Sequence, residues 1–471
     1  MVRENNQVQR GQRGLPPLVP GVPFIGNGIM MAGDIHQFLV RSHQKYGPIF
    51  RVRALNQEFT VLAGLDANRF LQEQGAEHFS SKETMGGLTR EFNMRVHTAE
   101  GDAHAQIRKT LGRAFAATTI EDSWDRFAEA TRRQMSKWTA GATLPVVEGF
   151  QRLACDQLSV MIGQTSSYPH FEPLRFAFEL TLDATVAKKY PMAVLRLPAY
   201  QEARQTIFGF VRALIADRRA NPRLDAQPDL IDIALDAVDE RGEPYPEETQ
   251  MGMILQGYFG GLNTVAYLYS FMLYALLKYP EVARLVRLEV DGFCGGSEPT
   301  LHRIREMKWV RGLVLESLRM WPTAPGSIRT VKQPFGFAGY DIQEGTHVMV
   351  ATAVPHHLPE FFPEPYQFDI TRTEFNDNRK IGAFAPFSVG EHTCLGAGLA
   401  EVQAAATLAY LVYGLEFEPL PKNYRVQVWA SPGPNPGSGF RVKIARQREQ
   451  AADSLCIIEQ PVREADKVPM M

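Results

Sequence analysis

The chain is poor in cysteine. Its four, Cys155, Cys294, Cys394 and Cys456, lie far apart with no CxxC pair. That pattern provides neither a disulfide framework nor a structural zinc site, and it fits a reducing cytoplasm. An excess of one charge is also missing: 50 basic and 52 acidic residues are interspersed, giving a formal net charge of -2. No electrostatic footprint for a phosphate backbone results, so nucleic acid is not an expected partner. The opening MVRENNQVQRGQRG is polar and basic with no apolar stretch, so neither a signal peptide nor an N-terminal membrane anchor is expected. Internal repeats, low-complexity tracts and a biased linker are absent as well. One compact unit over residues 1–471 is therefore expected, with roughly residues 1–14 and 448–471 as peripheral tails without chemistry.

What is present is the material of a large core: 45% hydrophobic and 22% charged residues, ordinary values for a globular chain. Residues 249 to 277 carry no charge and are long enough to cross a bilayer as a helix. Gln256, Asn263 and Thr264 interrupt the middle of this segment, and no second segment resembles it. A helix apolar all round is either a core helix or a membrane helix, and the buried central helix is the expectation here. IFRVRAL and EFTVLAG read as two short strands. From about residue 98 to 320 the apolar spacing of three and four is helical, and IRTVKQP, FGFAGYDI and THVMVATAV then read as short strands. The expected fold is mainly α with a small β region.

The most informative stretch is FSVGEHTCLG, residues 387 to 396, followed by the helix-forming AGLAEVQAAATLAYLVYG. Cys394 is thereby expected at a helix N-terminus, where free backbone N–H groups and the helix dipole favour a thiolate, the form that ligates a metal. Gly390 and Gly396 allow a tight turn and close approach to a flat ligand, and Phe387 can shield the sulfur. Considered alone, a lone cysteine is more often a buried, inert one. The spacing FxxGxHxCxG changes that preference, because it resembles the haem-binding loop of the cytochrome P-450 family.

The resemblance runs from PPLVPGVPFIGN to the helix after Cys394, with several motifs in the family's order. It implies the cytochrome P-450 fold with a long central helix over haem b (iron protoporphyrin IX), whose iron is ligated by the Cys394 thiolate. His392 falls where the family contacts a haem propionate. His104 and Arg108, i and i+4 on one helix face, and Arg329 would hold the propionates too, with Phe387 and Gly396 lining the cofactor. Without the resemblance, the first pair is an exposed polar face. Glu316 and Arg319 in ESLR match the family's buried structural pair. The basic residue that completes it is replaced by Gln367 in PYQF, so a less ionic anchor is expected. In Gly260-Gly261-Leu262-Asn263-Thr264, adjacent glycines followed by polar residues mark a local widening of the helix. The resemblance makes this an oxygen groove, with Gly261, Asn263 and Thr264 as the catalytic set and Thr264 guiding protons. The family's usual acid is Asn263 here, and asparagine cannot relay a proton by ionising.

Substrate walls would come from Met85, Leu88, Phe92 and Met94, residues 176 to 198, Phe259 and the Thr323 to Ile328 segment. Each of these residues reads equally well as core packing. The implied activity is that of a cytoplasmic haem-thiolate monooxygenase, for example in secondary metabolism, inserting one atom of molecular oxygen into a small lipophilic substrate. No glycine-rich dinucleotide fingerprint follows Cys394, so electrons would come from a separate ferredoxin or flavodoxin with its reductase. A thiolate-haem enzyme that rearranges or dehydrates its substrate or uses peroxide, needing no external electrons, is one alternative. A haem protein that binds a ligand without turnover is the other.

Overall fold

The computed structural model describes residues 14–55, 57–116, 118–223, 227–448 and 468–469. Helices dominate residues 98 to 320, as the spacing predicts. The two early strand segments form β1 (Ile49–Ala54) and β2 (Gln57–Ala63), an antiparallel pair. A five-stranded sheet is completed by β3 (Phe79–Ser80), β4 (Ser327–Val331) and β5 (His347–Ala351) in the order β1-β2-β5-β4-β3. β5 runs parallel to β2 with Thr60 opposite Val348, and antiparallel to β4 with Arg329 opposite that same Val348. Residues from both ends of the chain are thereby joined. Alternation in β1 and β2 sends Phe50, Val52 and Val61 into a small apolar cluster beneath the sheet. The expected tails fall mostly on residues 1–13 and 449–467, outside the described residues, as does Cys456. Val468–Pro469 pairs with Gln367–Phe368.

The uncharged segment is a core helix. It forms α4 (Glu247–Leu262) and α5 (Thr264–Lys278), interrupted at Asn263, and 83% of its most apolar window is buried within the protein. Both halves pack on α2 (Val146–Gly163). Glycine permits the approach: a Cβ at Gly257 would lie 2.8 Å from Ile162, and one at Gly261 would lie 2.9 Å from Leu158. The break has a local cause, since Thr264 Oγ1 donates a hydrogen bond of 2.8 Å to the Gly260 carbonyl, the back-bonding that bends helices.

The structural anchor differs from the sequence expectation. Arg319, on α6 (Lys308–Met320), donates Nε and Nη2 to the two oxygens of Glu316 at 2.7 Å each, and both side chains are fully buried. The third member is Arg372, whose Nε lies 3.2 Å from Glu316 Oε1. Gln367 contributes its backbone carbonyl to both guanidinium groups at 3.1 Å. The anchor is fully ionic because an arginine five residues further on turns back into the same pocket.

The same region holds three fully buried histidines. His36 Nε2 and His357 Nδ1 share a 2.8 Å hydrogen bond, while His356 Nε2 accepts from the Ala385 N–H at 2.9 Å. Burial and the Arg319 charge push His36 down to about 3, and burial holds His356 and His357 well below the ordinary histidine value. The unfolded chain binds protons at these sites first. Stability is therefore full above the unfolded value of about 6.5 and is lost as pH falls from there toward the depressed folded values. Denaturant titration of the parent at pH 7.5 and 5 should show a loss of the order of 2 kcal/mol for each such histidine. His36→Asn should reduce that difference, and an unchanged slope would remove this histidine from the account.

Candidate active site

Tight turns build the loop that carries Cys394. Gly390 sits at φ +81°, Thr393 donates both its N–H and its hydroxyl to the Gly390 carbonyl, and Cys394 N–H donates 3.0 Å to Phe387 O. α7 (Ala397–Gly414) begins immediately afterwards, with Gly396 as its N-cap. Gly390 also lets the loop press on a neighbouring helix: a Cβ there would lie 2.7 Å from the Leu71 carbonyl oxygen. Gly396 faces open space, with nothing within 4 Å of a Cβ built there.

Cys394 is accessible, whereas Cys155 and Cys294 are buried. Burial of the surroundings raises the Cys394 pKa, and the Gly396 N–H and the Arg108 charge offset this only in part. A bound metal cation would hold the sulfur deprotonated.

Four of the residues singled out in the sequence gather around this cysteine. α1 (Gly101–Gly112) carries His104, which is buried, and Arg108, which makes no hydrogen bond or ion pair with a described residue. His104 Nδ1 lies 2.7 Å from Glu391 Oε1, and the rings of His104 and His392 are 4.3 Å apart. Arg329 enters from β4, 7% exposed, its Nη1 bonded only to the Ile328 carbonyl. Burial lowers its pKa to about 10, partly offset by Glu391. His392 is pushed down to about 3 by burial and then by the surrounding charges of Arg329, His104, Arg108 and His97.

Three further residues belong here. His97 is half-buried near Arg329 and Gln256, and its ring stands 5.7 Å from that of Phe259. Gln256 brings in the central helix, and Glu391 is the carboxylate that faces Arg108, Arg329 and His104. His97 lies seven residues before His104 and Glu391 beside His392, but no spacing rule marks them. Buried polar atoms are left without a partner at His97 Nε2, His104 Nε2 and Gln256 Oε1. Two guanidinium groups face one carboxylate here, and with three imidazoles that burial keeps neutral they leave a net positive wall near the loop of the accessible thiol. That donor set fits a flat, metal-bearing ligand with two carboxylates, which is what haem b is.

The opposite wall is the break in the central helix. Gly260 and Thr264, i and i+4, are exposed and Phe259 is half-buried, in a stretch from 249 to 276 that is otherwise buried. Gly261, expected to form the groove, points at Leu158 and serves packing; the open face belongs to Gly260. Asn263 is 7% exposed, with its Oδ1 bonded to Gln151 Nε2 at 2.7 Å. Among the expected substrate walls, Leu88, Phe92 and Met94 are fully buried in the core, Phe92 edge-on to Phe178, whereas Met85 and Phe259 are partly accessible.

Comparison with known proteins gives a consistent result. The cytochrome P-450 family model matches residues 16–430. A sterol 14alpha-demethylase of Mycolicibacterium vanbaalenii is 24% identical over 419 residues, covering 85% of this chain and 92% of that protein. Abscisic acid 8'-hydroxylase 4 of Arabidopsis thaliana is 26% identical over 467 residues, covering 95% of each. Among solved structures, the haem domain of cytochrome P-450DA superposes with a TM-score of 0.81 at 22% identity, covering 92% of this chain and 98% of that one.

Proposed function

The chain belongs to the cytochrome P-450 family of haem-dependent monooxygenases, and we propose that as one catalytic unit it inserts one atom of molecular oxygen into a small lipophilic substrate, drawing electrons from a separate ferredoxin or flavodoxin with its reductase. A single observation supports the assignment of the site: Arg108 and Arg329 share the one carboxylate Glu391 on the loop that carries the accessible Cys394 thiol. Cys394 would supply the thiolate ligand, and His104, Arg108, Arg329, His392 and also His97 would hold the propionates. Phe387 and Gly396 would flank the cofactor. Haem b, when bound there, supplies the activation of oxygen, with the thiolate pushing electron density onto the iron.

The remaining work falls to the protein. Thr264 commits its hydroxyl proton to the Gly260 carbonyl, so toward the groove Oγ1 can only accept a hydrogen bond. A hydrogen-bond donor is therefore needed beside it, either a water or the Asn263 amide. Apolar walls at Met85 and Phe259, together with relatives named for sterol and abscisic acid oxidation, support a lipophilic substrate.

An absorption spectrum of the reduced protein with carbon monoxide tests the reading. A thiolate-type Soret band is expected, and a histidine-type band or no haem at all would overturn it. Thr264→Ala should keep that band while product formed per electron consumed falls by roughly an order of magnitude. Coupling equal to the parent's would remove Thr264 from proton handling.

A further inference from the structure

The carboxyl that position 263 lacks stands two hydrogen bonds away. Gln151 Nε2, on α2, donates to Asn263 Oδ1 at 2.7 Å and to Glu179 Oε1 at 2.8 Å. Glu179 lies on α3 (Phe171–Thr185). The inner members are nearly buried, Gln151 at 3% and Asn263 at 7%, whereas the Glu179 side chain is 25% exposed. The chain of contacts thus runs from near the surface to the turn that holds Thr264.

Its polarity follows from donor arithmetic. A carboxylate only accepts, so an ionised Glu179 requires the NH2 end of Gln151. The second hydrogen of that NH2 then requires Asn263 to turn its oxygen inward. The Asn263 N–H pair, which has no partner among the described residues, is left for the groove beside Thr264. A protonated Glu179 permits the reverse arrangement: its new O–H can donate to the Gln151 oxygen, that oxygen can also accept from the Asn263 NH2, and the Asn263 carbonyl is then left for the groove.

We propose that Glu179, acting through Gln151, is a positioning residue whose protonation state decides whether Asn263 presents N–H or C=O to the oxygen groove; this rests on the monooxygenase reading above. A donor beside an accept-only Thr264 is the productive state, so the ionised carboxylate is the active form. Several groups face Glu179. On its own helix Arg175, at 3.5 Å, favours ionisation, and Asp183 and Glu172 oppose it; Tyr267 faces it from α5. Burial is the largest influence and raises the carboxyl above the ordinary glutamate range.

The C–O stretching frequency of the reduced carbon monoxide complex reports a hydrogen-bond donor in the groove independently of turnover. It should be followed by infrared spectroscopy against pH in the parent, Glu179→Gln, Glu179→Asp and Gln151→Leu. In the parent the band is expected at lower frequency at high pH, where N–H faces the groove, and to move up with a single transition as pH falls. Glu179→Gln and Gln151→Leu should abolish the transition, and Glu179→Asp should restore it with a displaced midpoint. Product per electron should follow the same transition in the parent and lose it in Glu179→Gln. A parent band independent of pH, or a transition that survives in Glu179→Gln, overturns the proposal while leaving the monooxygenase reading intact. A parent with no thiolate-type carbon monoxide spectrum removes both.

Discussion

Cys394→Ser protein is expected to fold with the parent's far-ultraviolet circular dichroism and to lose the thiolate-type spectrum and all monooxygenase turnover. The change is nearly isosteric. The Cys394 bond to Phe387 O uses the backbone N–H, and the side chain is accessible rather than packed in the core. Folding energy therefore has little stake in the sulfur. Chemistry has a large one, because a serine hydroxyl will not ionise at neutral pH to replace a thiolate as a strong electron donor. The comparison is best made with Cys155→Ser. Cys155 is buried, and burial pushes its thiol up to about 12, so this variant should keep the spectrum. Retention of a thiolate-type band in Cys394→Ser, or its loss in Cys155→Ser, would move the ligand elsewhere.

The second large effect concerns stability. Glu316→Leu leaves the Arg319 and Arg372 guanidinium groups in one buried pocket without their shared carboxylate. Removing one partner of a buried ionic group costs on the order of 3–5 kcal/mol, since the remaining charges stay desolvated and unpaired. The Asp369 N–H, which donates to Glu316 Oε1 at 2.9 Å, is orphaned as well. Gln367→Ala should cost far less, because position 367 serves the network through its backbone oxygen. Urea unfolding monitored by circular dichroism separates the two. Equal losses would mean that the Gln367 side chain, rather than Arg372, completes the anchor.

That contrast shows where the sequence stops being legible. A charge-bearing contact within one helix or one tight loop can be read from spacing: Glu316 with Arg319, His104 with Arg108 on one face, and the turn that presents Cys394 all lie within a few residues. The interruption of the central helix was legible for the same reason, because Gly260, Gly261 and Thr264 act on their own backbone. Arg372 and His97 were not legible, since the chain must turn back in space before they reach the groups they serve. The Asn263–Gln151–Glu179 contact joins three helices whose residues are separated by 28 and 112 positions, and no local pattern encodes such a meeting. Gly261 was misassigned for a related reason: of two adjacent glycines, packing against Leu158 decides which one faces the groove.

The sequence by itself determined the fold class, the buried nature of the central segment and the loop that offers a thiol, because hydrophobic period, turn residues and motif spacing are local properties. Only the tertiary structure decided which charges are left unbalanced beside that thiol and which carboxyl stands in line with Asn263. Burial and electrostatic pairing depend on what the rest of the chain brings within a few ångströms, and that is settled only when the helices pack.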